Sequence, residues 1–305
     1  MTLPLLSVVI ANYNYGRFLG DAIRSVLSEE VGSKVELIIC DAASSDNSVE
    51  VIKTFANGLP PNVPFEAWKD KPKNLQSSRP VITWWCSEKD GGQSAAFNKG
   101  FAHANGKYLT WLNADDLLVP GSLQKVIRIL EQYPDCDWFT ANSFRFLEDG
   151  TVMQANWGPH WYPRFLQHKS SPIVVFGPTS FFTKTIYERV GMMDETLHYA
   201  MDNDLWIKFI TAGIKQRRIK CMVWAFRMHE ASKTAEFGEH RLEDDAHRRL
   251  VEEGKSIAKK LGYRMSILMH FAVRVWRFLD GSMIYRAYLR MTFKKFPIGQ
   301  LNGKA

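Results

Sequence analysis

From Leu6 to Leu112 the chain keeps returning to one pattern: a short, nearly unbroken apolar run, a polar residue where it stops, then apolar residues at helical spacing. Leu6 to Ala11 is the first run, followed by a polar turn and a helix over Phe18 to Leu27. Val35 to Cys40 is the second and stops on Asp41. Ala43-Ser44-Ser45-Asp46 then reads as a loop and helix start, with Asp46 as the cap and Val49, Ile52 and Phe55 as the buried stripe. Asn57 to Pro80, rich in Pro, Lys and Asn, reads as a surface insertion. A third strand over Val81 to Trp85, a helix over Gln93 to His103, a turn at Asn105-Gly106 and a fourth strand over Tyr108 to Leu112 complete the series. Strands without polar alternation are buried on both faces, so the expected fold is α/β, with a mostly parallel central sheet flanked by helices. Ligands of such sheets sit beyond the carboxyl ends of the strands. Asn12, Asp41, residues 88–92 and residues 113–116 fall there.

The polar strand ends narrow the chemistry. Asn113-Ala114-Asp115-Asp116 follows the fourth strand and precedes Leu117-Leu118 and a helix opened by Pro120 and Ser122. Adjacent carboxylates repel by roughly 1 kcal/mol when exposed. Either a hard cation such as Mg²⁺ or Mn²⁺ relieves that repulsion, with substrate phosphates completing its shell, or one Asp caps the helix and the other is solvated. Asp41 is either an acceptor for a nucleotide base or ribose, or a turn residue. In Met201-Asp202-Asn203-Asp204, one Asp is expected to cap the helix that buries Leu205, Phe209 and Ile210 and stops at Gly213. The other is free to serve as a general base. His229 follows a strand-like Met222 to Phe226, with Lys233 four residues on; imidazole can ligate a metal and ammonium can pair with phosphate.

Other classes are disfavoured. There is no G-x-G-x-x-G, Walker A loop, H-E-x-x-H or G-x-S-x-G, and no nucleic-acid module. Cys40, Cys86, Cys136 and Cys221 have no metal-ligand spacing and read as scattered thiols of a reducing cytoplasm. The first residues show no signal-peptide pattern. Of the formal net charge of +7, most lies between Tyr263 and Phe296, where seven Lys or Arg stand against the single acid Asp280.

The order of segments carries a resemblance. Ser7-Val8-Val9-Ile10-Ala11-Asn12-Tyr13-Asn14, then Ile38-Ile39-Cys40-Asp41 leading into Ser44-Ser45-Asp46-Asn47-Ser48, resembles the opening of the family 2 inverting glycosyltransferases of GT-A fold. Glu88-Lys89-Asp90-Gly91-Gly92-Gln93-Ser94, through Asn98-Lys99-Gly100 to Leu112-Asn113-Ala114-Asp115-Asp116, is similar to that family's central block. Gly177 to Phe182, Asp194-Glu195 and Met201 to Trp206 resemble its acceptor half. The resemblance implies a single GT-A domain over residues 1–235, with a nucleotide-sugar half (1–120) and an acceptor half (121–235), plus a helical extension over 236–305. It implies a nucleotide-sugar donor, a UDP-sugar favoured, bound by Ala11, Asn12, Tyr13, Asp41, Gln93, Asn113, Asp115 and Lys233. It implies Mg²⁺ or Mn²⁺ at Asp115, Asp116 and His229, and Asp202 as the catalytic base. The acceptor would be a glycan or lipid-linked glycan of bacterial surface polysaccharide assembly, with no nucleic acid involved. Trp157, His160, Trp161 and Tyr162 are candidates for stacking on it.

Departures from the family pattern are visible too. Asn113 stands where the first Asp of a D-x-D often sits, Ala42 replaces a second Asp, Phe97 replaces an Arg before Asn98, and Met201 replaces a Glu. No Q-x-x-R-W motif is present, so a processive synthase is not expected. Two competing readings are a catalytically weak sugar-nucleotide-binding scaffold and a GT-A-like nucleotidyltransferase; the latter lacks a Gly-rich basic N-terminal loop. In the tail, Ile267 to Leu279 gathers a broad apolar face beside His270, Arg274 and Arg277. Such a helix suits peripheral contact through residues 265–296 with an anionic membrane, at the inner face of the plasma membrane for a cytoplasmic protein. The alternative is a helix packed on the domain or on a second copy in a homodimer.

Overall fold

A computed structural model describes residues 3–64, 67, 78–156, 177–198, 201–230 and 232, with five isolated positions beyond them. The apolar runs form the parallel half of one nine-stranded sheet. These are β1 (Leu6–Asn12), β2 (Val35–Asp41), β3 (Val81–Ser87) and β4 (Tyr108–Asn113), in the order β3-β2-β1-β4. Alternate residues of β1 enter different cores. Leu6, Val8 and Ile10 join α1 (Gly16–Leu27), α2 (Ser48–Phe55) and α4 (Ser122–Gln132) on one face. Val9 faces α3 (Gln93–Ala102) and α6 (Met201–Thr211) on the other, with Trp111, Trp138 and Trp206 stacked between them. Burial on both faces is why these strands lack polar alternation.

Past β4 the sheet becomes mixed. It continues through β8 (Ser180–Thr183) and β6 (Trp138–Leu147), both antiparallel to their predecessors. β9 (Gln216–Met228) runs parallel to β6, and β5 (Leu117–Leu118) closes antiparallel on β9. β7 (Val152–Asn156) pairs with β6 off this path, and α5 (Lys184–Arg189) follows β8. The strand order reverses between β1 and β4, which run parallel: β2 and β3 lie on one side of β1 and β4 on the other. A crevice opens there, beyond the carboxyl ends of the strands.

Several local expectations are corrected. Asp46 does not cap α2 alone: its carboxylate accepts from Ser48 N–H at 3.0 Å and from Gly16 N–H at 2.8 Å, so it ties the starts of α1 and α2 together. A Cβ on Gly16 would lie 2.2 Å from Asn47 Oδ1, so only glycine lets the two helices meet this closely. Leu117-Leu118 is a strand, and Glu29 from beyond α1 caps α4 by accepting from Gly121 and Leu123 N–H. Neither Asp202 nor Asp204 is an N-cap; both lie in the first turn of α6, and Asp204 pairs with Lys208 at 2.8 Å. Cys40 and Cys86, distant in sequence, are register partners on β2 and β3. Half of the 57–80 insertion, residues 157–176 with the candidate stacking rings, and nearly all of the extension lie outside the described residues. No helix among the described residues is long and apolar enough to cross a membrane.

Candidate active site

A cleft of about 950 Å³ opens over the ends of β1 and β4. Of the residues singled out in the sequence, Ala11, Asn12, Tyr13, Gln93, Asn113, Asp115 and Asp202 all line it. On the β1 side, Asn14 and Ala43 take positive φ and turn their loops toward the opening. Tyr13 is left 61% exposed at the rim, presenting a ring that a base could stack on.

Asp41 lies beneath this ledge and is almost fully buried. Its Oδ1 accepts from Asn12 Nδ2 at 2.7 Å and from Ser44 Oγ at 2.5 Å; its Oδ2 accepts from Ser44 N–H at 3.1 Å and Ser87 Oγ at 2.6 Å. These donors satisfy most of a carboxylate's acceptor capacity. Asp41 thus fastens β1, β2, β3 and the loop after β2 into one ledge. Side chains above it, not the carboxylate itself, line the cleft.

At the end of β4 a chain of hydrogen bonds fixes the polar cluster. Gln93 Nε2 donates to Asn113 Oδ1 at 3.1 Å, and Asn113 Nδ2 donates to Asp116 Oδ2 at 2.7 Å. Arg227 N–H donates to Asp116 Oδ1 at 2.9 Å. Asp116 is fully buried, and burial, with Asp115 beside it, pushes its carboxyl well above the usual carboxylate range. It does not line the cleft. It braces β9 against the Asp115 turn.

Asp115 does reach the cleft, and its Oδ2 lies 3.0 Å from His229 Nε2. The imidazole is held edge-on by Tyr15 and packed against Phe18, ring centroids 4.5 Å apart. Arg17 Nη2 approaches Nδ1 at 3.4 Å, and an arginine can only donate. The structure therefore brings together Asp115 and His229 and sets Asp116 apart, while Lys233 lies outside the described residues. A carboxylate on the cleft wall with a buried imidazole 3.0 Å behind it fits a divalent cation whose remaining ligands are substrate phosphates. Among the described residues no larger cluster of acidic, His or Cys ligands forms.

On the opposite wall, Asp202 lines the cleft from the first turn of α6, with Oδ1 accepting from Asn203 N–H at 2.8 Å. Burial pushes this carboxyl up to about 6, against the hydrogen bonds that lower it. The lining residues that had not been singled out include Arg145, His198, Trp224 and Phe226. Arg145 alone had a visible signal, a cation between Phe144 and Phe146 in a strand-like run.

The parallel four-strand half, the switch-point crevice and the mixed second half define an α/β protein of GT-A architecture. The chain belongs to glycosyl transferase family 2, whose family model matches residues 7–190. An uncharacterized glycosyltransferase of Nostoc sp. is 34% identical over 126 residues, 41% of this chain and 33% of the relative. One from Rickettsia typhi is 22% identical over 238 residues, 76% of this chain and 66% of the relative. The putative glycosyltransferase EpsE of Bacillus subtilis is 25% identical over 220 residues, 70% and 69% of the two chains. The chain thus spans between a third and two thirds of the Nostoc and Rickettsia relatives. Among solved structures, S. aureus TarS 1–349 in complex with UDP superposes with a TM-score of 0.53 at 13% identity, over 74% of this chain and 61% of that one. TarS 1–349 in complex with UDP-GlcNAc gives 0.54 at 13% identity, over 74% and 59%. At these identities the likeness establishes the fold.

Proposed function

We propose that this chain is a metal-dependent, inverting, non-processive glycosyltransferase that moves a hexose-type sugar from a nucleotide donor to an acceptor hydroxyl. The observation that supports the proposal is that Asp202 and Asp115 line one cleft above the ledge held by Asp41, with the buried His229 imidazole 3.0 Å from Asp115. A UDP-sugar is the favoured donor, since the TarS structures hold UDP and UDP-GlcNAc. Bacterial surface polysaccharide assembly is the setting that the family resemblance supports.

Tyr13, Asn12 and Ala11 would hold the base, and Gln93 through Asn113 would set the orientation of the Asp115 turn. Asp115 and His229 would hold Mg²⁺ or Mn²⁺, which when bound neutralises charge gathering on the leaving diphosphate. Asp202 takes the proton of the acceptor hydroxyl as its oxygen bonds to the anomeric carbon. The bond to the diphosphate breaks on the opposite face, so the configuration inverts.

A thermal-shift screen against UDP, GDP and dTDP, with and without Mn²⁺, tests the donor site. A ligand that binds only the folded state stabilises it by about 2.7 kcal/mol at a hundredfold excess over its dissociation constant. We expect a metal-dependent shift with UDP above the others. No shift with any nucleotide would leave the scaffold reading in its place.

Peripheral contact of residues 265–296 with an anionic membrane belongs to the same proposal. It is supported by the basic composition of the segment and by Val275, Phe278, Leu279, Ile284 and Met291, which are helical and exposed. Deleting residues from 265 onward should abolish co-sedimentation with anionic liposomes. Equal co-sedimentation of the truncated and full chains would end this part of the proposal.

A further inference from the structure

One cation on the cleft wall has no task in this chemistry. Side chains of β6 alternate, with Phe144 and Phe146 in the small core shared with β5, β7 and β9. Arg145 points the other way, into the cleft, and is half-buried. Its guanidinium lies 5.6 Å from the centroid of Phe226, which meets Trp224 edge-on at 5.2 Å. Among the described residues it makes no hydrogen bond and no ion pair.

Three acids around this end of the sheet have partners of their own. Glu148, three residues along, pairs with Arg17; Asp115 is held by His229; Asp21 pairs with Arg24 and Arg227. A guanidinium brought partly out of water loses hydration that an anionic partner restores. Its planar fork matches a carboxylate or a phosphate through two parallel hydrogen bonds.

Sheet order says on which side that anion lies. Asn12 and Tyr13 follow β1, Asp115 follows β4, and β6 comes two strands further on, past β8. Arg145 and the Phe226–Trp224 rings thus line the cleft from the β6–β9 wall, and Asn12 and Tyr13 from the end of β1. The family's arginine position before Asn98 does not supply a cation here. Phe97 is fully buried against Trp111 and Phe101. Lys89, the other described Lys or Arg on the cleft wall, is exposed on the loop after β3, on the nucleotide side.

We propose that Arg145, with the Phe226–Trp224 ring pair, forms an acceptor subsite for a sugar bearing a carboxylate or a phosphate ester. The rings offer a face to the sugar's C–H bonds and the guanidinium reads its charge. This inference rests on the glycosyltransferase reading and goes beyond it by naming the acceptor's chemical class.

Calorimetric titration of the full chain tests it, first with UDP and Mn²⁺, then, on the saturated protein, with methyl glucuronide, glucose 6-phosphate and methyl glucoside. The wild type should bind one of the two anionic sugars about tenfold or more tightly than methyl glucoside, the worth of a charge-assisted hydrogen bond. The preferred probe separates carboxylate from phosphate. Arg145→Gln should erase the preference and Arg145→Lys should keep part of it, with UDP affinity in both within about twofold of wild type. Equal binding of charged and neutral sugars by the wild type would overturn the inference, and so would a preference that survives in Arg145→Gln. Loss of UDP affinity in Arg145→Gln would assign the guanidinium to the donor diphosphate and overturn it as well. Failure of the wild type to bind UDP removes the transferase reading and this inference with it, whereas UDP binding without a preference for anions removes the inference alone.

Discussion

Replacing Asp202 with asparagine should lower turnover about a thousandfold while leaving UDP affinity within about twofold of wild type. The substitution is nearly isosteric, and the amide oxygen can still accept the Asn203 N–H that Oδ1 accepts now. What it removes is the basic lone pair. Asp202 is suited to general-base work because burial lifts its carboxyl to about 6, nearer to neutral pH than an ordinary aspartate. The base works ionised, so wild-type turnover should climb as pH rises through about 6 and level off above it. The variant should lack that limb. Stability should move the other way. A carboxyl raised on folding favours the folded state while protonated, and that contribution is lost as pH rises through its folded value. At pH 7.5 the wild type therefore carries a penalty that the neutral amide does not. Asp202→Asn should melt at or above the wild-type temperature, which separates a lost base from a damaged fold. Full turnover in the variant, or an unchanged acid limb, would refute the assignment.

The residues of this wall differ in how far the sequence discloses them. β1, β2 and β4 are legible almost to the residue, because strands buried on both faces must be written as continuous apolar runs. β6 and β9 are not. β9 carries Arg217, Arg218 and Lys220 in its first half, and its pairing with β6 shifts register around Asn142, so no clean alternation survives. The site divides in the same way. Asn12, Asn113 and Asp115 sit at ends of legible strands and could be placed by the rule for parallel sheets. Asp41 sits at such an end too, yet its carboxylate is taken up by Asn12, Ser44 and Ser87, and Ser87 arrives from a strand 46 residues away. Asp115 and Asp116 are neighbours in sequence and opposite in environment, because the partner that buries Asp116 is the backbone of Arg227. Arg145 could be seen as odd in its strand, but only the long-range order of β4, β8 and β6 turns that oddity toward the cleft.

That contrast sets up the second large effect. Asp115→Ala should abolish the gain in UDP affinity that Mn²⁺ gives the wild type and lower turnover by about a hundred- to a thousandfold, the usual loss when a group that balances transition-state charge is removed. Asp115 brings the carboxylate that reaches the cleft, and His229, fully enclosed by Tyr15 and Phe18, has no freedom to compensate. Asp116→Asn should behave differently. Asp116 Oδ2 accepts from Asn113 Nδ2, so an amide nitrogen placed there faces a donor with a donor. Flipping the new amide only moves the conflict to Arg227 N–H, and flipping Asn113 breaks its bond from Gln93. The variant should lose stability, by about 1–3 kcal/mol for a buried unsatisfied group, yet still respond to Mn²⁺ wherever it stays folded. Calorimetry of UDP binding with and without Mn²⁺, beside a urea melt of each variant, reads both effects. If Asp116→Asn loses the metal response and Asp115→Ala keeps it, the two carboxylates have been given each other's roles. If both keep it, the cation that neutralises the leaving diphosphate is not held at this strand end.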